Sequence, residues 1–302
     1  MNRAAAGAVS ASVWTGNRWR RTAVVCCLAA GLAAFLAACA GVTVPGTAAA
    51  PQAMRAVPAA PVRVLQLNLC NSGIAACYTG RSVEEAARVI RVEAPDVVAV
   101  NEICEADVRP LERAMARAVP GGTATSAFQP ARDRTTGEAY RCANGERFGI
   151  GIVSRWRPPP GSTPDAGIYP VQDPDDPEER AWLCLDARGT SAGTPAVTAC
   201  TTHLAYTDPD VAAGQCRHLS EVVVARLRDR DGAPPVVLAG DLNLARDDPR
   251  LEACLPPGAT RADDGAVQYV VGASGLAVTD ARTIELRVDT EHPGLLVALT
   301  PN

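Results

Sequence analysis

The sequence predicts a mixed α/β domain: two β-sheets packed face to face, with helices on their outer sides. Three observations point there. Short apolar runs of strand length alternate with segments of helical period, and the chain closes on strands. Polar side chains recur where the apolar runs end. The 302 residues are 47% hydrophobic and 21% charged, a globular composition with neither a disordered nor a collagenous bias.

The chain begins ahead of that domain. Arg18, Arg20 and Arg21 form a positive segment, and Thr22 to Ala38 is an uncharged run rich in Ala, Leu and Val. The run falls short of the ~20 strongly apolar residues of a spanning helix and suits the apolar core of a signal peptide. Leu36-Ala37-Ala38-Cys39 follows and resembles the lipobox of bacterial lipoproteins. That resemblance implies cleavage before Cys39, lipidation of Cys39 and a membrane anchor. An ordinary secretory signal is the alternative, and either way the mature chain is exported. Residues 1–39 are therefore expected to be a signal peptide. Residues 40–61, rich in Ala, Val, Pro and Thr, are expected to be a flexible tether, and 62–302 one folded domain.

Cysteine usage agrees with export. Three of the 11 cysteines lie at or before Cys39, which leaves Cys70, Cys77, Cys104, Cys142, Cys184, Cys200, Cys216 and Cys254. An even number in an exported chain implies disulfides. No CxxC-type spacing suggests zinc. Eight cysteines allow about 105 pairings, so connectivity stays open. A hairpin centred near Ala192 would set Cys184 opposite Cys200.

Within the domain, Val62 to Leu69 alternates and reads as a strand that delivers Asn68 at its end. Ser82 with Glu85 has the form of a capping box, opening a helix with Ala86, Val89 and Ile90 on its apolar stripe. Pro95 stops it. Asp96 to Val100 is a buried strand followed by Asn101 and Glu102. A second helix carries Val108, Leu111 and Met115. Phe148 to Ser154 is a strand whose glycines suggest a bulge or a close approach. Pro158 to Glu179 is a loop. Its acidic run from Asp173 to Glu179 lacks the spaced ligands of a calcium loop and reads as solvated. Ala181 to Ala187 and Ala196 to His203 read as two strands. Asp208-Pro209 caps a long helix that reaches about Arg230 and carries His218, expected to be structural. Val236 to Ala239 is a buried strand running into Gly240, Asp241 and Asn243. Gln268 to Val271, Leu276 to Thr279 and Leu295 to Leu299 complete the strands.

Asn68, Glu102, His203, Asp241 with Asn243, and Glu291-His292 thus gather beside apolar strands. The set offers oxygen ligands for a hard cation, amides and two imidazoles. It contains neither a GxSxG elbow nor a P-loop. The formal net charge is −4, and no lysine occurs, so every side-chain cation apart from three histidines is an arginine. A net negative chain has no global attraction to nucleic acid. Arg132, Arg134, Arg141 and Arg147 look scattered rather than clustered.

In order and spacing these segments resemble the endonuclease/exonuclease/phosphatase superfamily, over about Val62 to Leu299. The matching pieces are Leu67-Asn68, Asn101-Glu102, Thr202-His203-Leu204, Gly240-Asp241-Leu242-Asn243 and Thr290-Glu291-His292. Gly149 to Arg155 is similar to the family's apolar strand ending in Ser-Arg. The resemblance implies a four-layer α/β sandwich, two mixed sheets flanked by helices, and metal-dependent phosphoester hydrolysis. It implies Glu102 as ligand of Mg²⁺ (or of Mn²⁺ or Ca²⁺), with Asn68 and Glu291 beside it. It makes Asp241 the residue that orients the attacking water. Asn243, His203 and Arg180 would bind the phosphate, and His292 would act on developing charge or on the water.

Two departures stand out. Glu291 replaces an aspartate, and Gln268 stands where the family carries the aspartate that pairs with its final histidine. A neutral amide stabilises an imidazolium far less than a carboxylate does. The leading expectation is an extracytoplasmic, monomeric hydrolase of phosphodiester or phosphomonoester bonds. Its substrate would be nucleic acid, a phospholipid headgroup or a small phosphoester. The alternatives are a catalytically impaired binding protein on the same fold and a structural envelope lipoprotein.

Overall fold

The computed structural model describes residues 60–189, 195–273 and 275–302. The expected signal peptide, nearly all of the tether and the turn near Ala192 lie outside the described residues. Two six-stranded sheets form the domain. The first runs, edge to edge, β13 (Leu276–Ile284), β14 (Gly294–Pro301), β1 (Val62–Asn68), β2 (Val97–Cys104), β5 (Phe148–Ser154) and β3 (Thr125–Pro130). The second runs β11 (Thr260–Asp263), β12 (Gln268–Gly272), β10 (Val236–Asp241), β9 (Ala196–His203), β8 (Ala181–Arg188) and β6 (Asp165–Ile168). A small ladder pairs β4 (Arg132–Asp133) with β7 (Glu178–Glu179).

Strand alternation builds the layers. In β1, Val62 and Val64 face the second sheet, where they meet Val237, Ala239 and Val270. Leu65 and Leu67 face outward and pack on Ala86, Val89 and Ile90 of α1 (Ser82–Glu93) and on Leu111 and Met115 of α2 (Val108–Arg117). On the far side, Leu238, Tyr269 and Val271 pack under α3 (Pro209–His218) and the helical turns that continue it. The result is the expected order of helix, sheet, sheet, helix. Each sheet holds one parallel pair at its centre, β1 with β2 and β9 with β10. Their carboxyl ends lie in register, Asn68 beside Asn101 and His203 beside Asp241. The two pairs bring their polar ends to one edge of the sandwich, where sheets of this kind gather their sites.

Several local expectations need correction. Ser82 and Glu85 form no capping box, because α1 has no side-chain cap. The Ser82 hydroxyl donates to Asn71 and Glu85 holds Arg88. The strand at Val97 does not end before Glu102 but continues to Cys104 through a bulge, where its pairing with β5 shifts between Val100 and Ile103. The acidic run is not a solvated loop. Asp173, Asp176 and Glu179 are buried and bind Thr207, Arg180 and Arg132. The helix from Pro209 does reach Arg228, but through a widened π segment at Leu219–Val224. Asp208 caps it as expected, accepting from the amides of Asp210 and Val211.

Four cysteine pairs stand at disulfide distance: Cys70–Cys77, Cys104–Cys142, Cys184–Cys200 and Cys216–Cys254. The third is the pair expected from the β8–β9 hairpin. Four such pairs suit an oxidising, extracytoplasmic compartment. No helix of the described residues is long and apolar enough to cross a membrane.

Candidate active site

The strand ends open into a cleft of about 420 Å³ lined by Asn68, Glu102, Arg180, His203, Asp241 and His292, with Asn243 and Glu291 also on its wall. Every residue expected from the sequence to act in catalysis, phosphate binding or metal binding therefore lines this cleft, and Cys39 lies outside the described residues. Gln268 lies in β12 opposite Asp241 in the ladder and is not part of the cleft wall.

Backbone geometry aims these groups. Glu102 sits on the bulge with φ of 54°, left-handed for a residue with a side chain. A bulge re-aims the side chain it carries, and strain of this kind gathers at functional sites. Asn243 and Glu291 are also left-handed, at φ of 50° and 65°. Gly240 lets β10 approach β9 closely: a Cβ there would stand 2.3 Å from the Thr202 carbonyl oxygen.

Asn68 bridges the two central acids. Its Nδ2 donates to Glu102 Oε1 at 2.8 Å and to Asp241 Oδ2 at 3.2 Å, while its Oδ1 accepts from the Cys70 amide. Asp241 also accepts from the Asn243 amide and lies 3.6 Å from His292 Nε2. Burial pushes the Asp241 carboxyl upward, against the pull of His292, Asn68 and the Asn243 amide. The Asn243 side chain donates one hydrogen to the Leu204 carbonyl and keeps a second for the cleft.

His203 lies 3.9 Å from Glu102 Oε1 through Nε2 and 3.0 Å from Arg180 Nη1 through Nδ1. Burial, then the charges of Arg180 and His292, hold its basicity well below the ordinary imidazole value, so the ring is neutral. Arg180 is 3% exposed and is held by Asp176 at 2.8 Å and Glu178 at 3.3 Å. Two acids share one guanidinium. Burial raises the more distant one, Glu178, to about 7.

Beneath the acids lies a layer that sequence reasoning missed. Asn101 Oδ1 accepts from Gln66 of its own sheet and from the Asp241 amide of the other. Its Nδ2 donates to the Thr202 carbonyl and to Thr201. One buried amide thus ties the two sheets directly under Asp241. Its position beside Glu102 was legible, but its bonding needs both sheets in place. The Asp176–Glu178–Arg180 network was missed because an acidic run normally solvates a loop. The expectation that His292 faces the Gln268 amide is not met. Gln268 Nε2 donates at 3.4 Å to the Pro293 carbonyl, its Oε1 is buried without a partner, and the carboxylate beside His292 is that of Asp241.

The donor set suits a hard cation. Two carboxylates, Glu102 and Asp241, are held to one amide nitrogen, an arrangement of like charges that a cation relieves. Among the described residues no three His, Cys, Asp or Glu side chains form a preformed metal cage. Mg²⁺ does not require one, because it takes one or two carboxylates, keeps waters and uses substrate oxygens.

Acids, amides and two histidines thus stand at the ends of the central strands of a four-layer sandwich. The Endonuclease/Exonuclease/phosphatase family model matches residues 65–283, and the chain belongs to that family. Solved structures share the fold at low identity. An endonuclease/exonuclease/phosphatase from Beutenbergia cavernae is similar at 19% identity and TM-score 0.58, covering 80% of this chain and 72% of that one. The human Nocturnin catalytic domain with bound sulfate is similar at 12% and 0.59, covering 80% and 94%. The 2′,3′-cyclic phosphatase ANGEL2 is similar at 14% and 0.56, covering 80% and 96%. No curated protein sequence matches the chain.

Proposed function

We propose that this protein is a metal-dependent hydrolase of phosphoester bonds that works outside the cytoplasm, attached to the membrane through Cys39. The single observation that carries the activity is the joining of Glu102, Asn68, Asp241 and His292 by contacts of 2.8, 3.2 and 3.6 Å at one edge of the sandwich. Four groups brought from both sheets to one cleft exceed what packing requires.

Glu102 would hold Mg²⁺, with Asn68 beside it and Glu291 at the rim. When bound, the ion would supply charge stabilisation at the phosphoryl oxygens. The residues of the chain do the rest. Asp241, fixed by Asn68 and the Asn243 amide, orients the attacking water and accepts its proton. His292, beside Asp241, faces the charge that develops on the phosphoryl group. His203 Nε2–H and the free hydrogen of the Asn243 amide donate to non-bridging oxygens. Donors fixed in advance of charge development contribute the largest share of such catalysis. Arg180 supports the phosphate through His203, which it orients from behind.

The impaired-binder reading rested on Gln268 and Glu291. It weakens because His292 has a carboxylate neighbour in Asp241. The deciding experiment is hydrolysis of bis-p-nitrophenyl phosphate and p-nitrophenyl phosphate by the full chain with Mg²⁺, Mn²⁺ or Ca²⁺. No turnover with any of the three, together with no metal affinity by calorimetry, would leave only the binding-protein reading.

A further inference from the structure

Arginines that look scattered in the sequence are gathered by the fold. Of the group Arg132, Arg134, Arg141 and Arg147, three are engaged by carboxylates, with Glu179, Glu179 and Glu105. They leave no cationic groove. A second set does. Arg81 precedes α1, Arg88 and Arg91 lie on it, Arg113 and Arg117 lie on α2, and Arg287 comes from the segment after β13. Together they line one surface groove of about 810 Å³ floored by Ala87, Pro110 and Ala114.

Arg88 is engaged bidentately by Glu85. The other five are exposed and make no ion pair among the described residues. Two carboxylates oppose them within the groove: Glu85, which Arg88 engages and which also accepts from the Arg287 amide, and Glu84. This is a concentrated positive surface on a chain of net charge −4. Unpaired like charges held together repel one another, so the arrangement favours an anion that neutralises them. Guanidinium groups match phosphate oxygens two at a time.

The groove also leads to the cleft. A surface depression lined by Glu285 to Pro293 shares Arg287 and Val288 with the groove and Glu291 and His292 with the active site. The depression therefore adjoins both the arginines and the reacting groups, and its own wall carries Glu285, Asp289 and Glu291 beside Arg287. The cleft itself is acidic, through Glu102, Asp176, Glu178, Asp241 and Glu291, and has little charge of its own to hold a polyanion.

We propose that the α1–α2 groove is a second, non-catalytic site that binds a linear chain of phosphodiesters and feeds one of its phosphates to the cleft. Its role in feeding rests on the phosphoesterase reading, whereas its binding does not. A flat lipid surface is the poorer fit, because the arginines face into a concave channel.

The test uses the full chain and a fluorescent 20-residue oligothymidylate. Binding is followed by anisotropy in EDTA, so that cleavage does not intervene. The wild type should bind with a steep salt dependence, and Arg91→Gln/Arg117→Gln should bind at least tenfold more weakly. The double variant should also lose about 1.4 from the log–log salt slope, about 0.7 per phosphate contact on a single strand. Arg91→Lys/Arg117→Lys, which keeps the charge, should retain most of the affinity. With Mg²⁺, the Gln variant should hydrolyse bis-p-nitrophenyl phosphate as the wild type does but show a raised KM for the oligomer. Equal oligomer affinity in wild type and Gln variant would overturn the proposal. So would binding of polyglutamate or of phosphatidylglycerol vesicles as tight as that of the oligomer. Intact binding with no hydrolysis of any phosphoester would refute the activity and leave the groove standing.

Discussion

Arg180 Nη1 lies 3.0 Å from His203 Nδ1, and that contact decides which nitrogen His203 turns to the cleft. A guanidinium only donates, so Nδ1 must accept and the ring proton sits on Nε2. His203 then presents an N–H to the cleft while remaining uncharged. In ¹⁵N NMR the wild type should show the Nε2–H tautomer alone at pH 7. Arg180→Met should populate both tautomers and lower turnover by about 10²-fold, the scale of a positioned proton-handling group. A wild-type ring protonated on Nδ1 would contradict this account.

Glu102→Ala and Asp241→Ala should each lower phosphoester hydrolysis by at least about 10²-fold, the loss typical of one preorganised electrostatic group. Neither should unfold the domain. Glu102 contributes to the bulge rather than to the apolar core, and Asp241 is a buried acid whose ionisation already opposes folding. Thermal melts alongside the rates separate the two effects. Near-wild-type turnover in either variant removes that residue from the chemistry.

Most of the fold was legible because the signals were local. The alternation of Val62, Val64, Leu65 and Leu67, the Asp208 cap and the run Val236 to Ala239 each fix an element without tertiary context. Strands β3, β6 and β11 gave little sequence signal, as short edge or near-edge strands with partly exposed faces. At the site, residue identities were legible and their partners were not. Asn101, Arg180 and His292 each bond to residues distant in sequence, and Gln268 was given a partner that the fold assigns to Asp241. The groove arginines escaped notice although Arg88 and Arg91, and Arg113 and Arg117, stand at helical spacing.

Lipidation of Cys39 predicts its own fractionation result. Expressed in a bacterial host that processes lipoproteins, the wild type should sediment with membranes and Cys39→Ala should not. Stable anchoring takes two or more acyl chains, which a processed lipobox cysteine supplies. Co-fractionation of Cys39→Ala with membranes would place the anchor elsewhere.

Glu178 should make stability depend on pH. Its folded pKa of about 7 lies above the ordinary 4.5 because burial outweighs the help of Arg180, which Asp176 already holds. A raised carboxyl pKa gives stability that is complete below about pH 4.5 and lost as pH rises through about 7. The loss amounts to at most about 3 kcal/mol. Glu178→Gln removes the surplus charge and leaves Arg180 paired with Asp176. The variant should match the wild type in urea unfolding at pH 4.5 and exceed it at pH 8. A variant weaker than the wild type at pH 8 would mean that Arg180 needs both acids.

Gln268 offers the sharpest test of how the site departs from its family. Its side chain is fully buried, with one amide hydrogen bond to Pro293 and an oxygen without a partner. No cation is bonded to it, and His292 is placed beside Asp241 instead. Restoring an acid by Gln268→Asp therefore buries a new carboxylate one methylene shorter than the amide it replaces. Burial favours its protonated form, so the penalty appears as pH rises. At pH 8 the variant should be less stable than the wild type by about 3 kcal/mol, the scale of an unpaired buried charge. At pH 4 most of that difference should disappear. Melting curves at the two pH values read this directly. If the variant is equally stable at both, the new carboxylate has found a cation, and His292, the residue before the Pro293 to which Gln268 bonds, is the candidate. The imidazole would then have turned from Asp241 to the acid at position 268, and phosphoester turnover measured on the same variant would show which pairing the chemistry prefers.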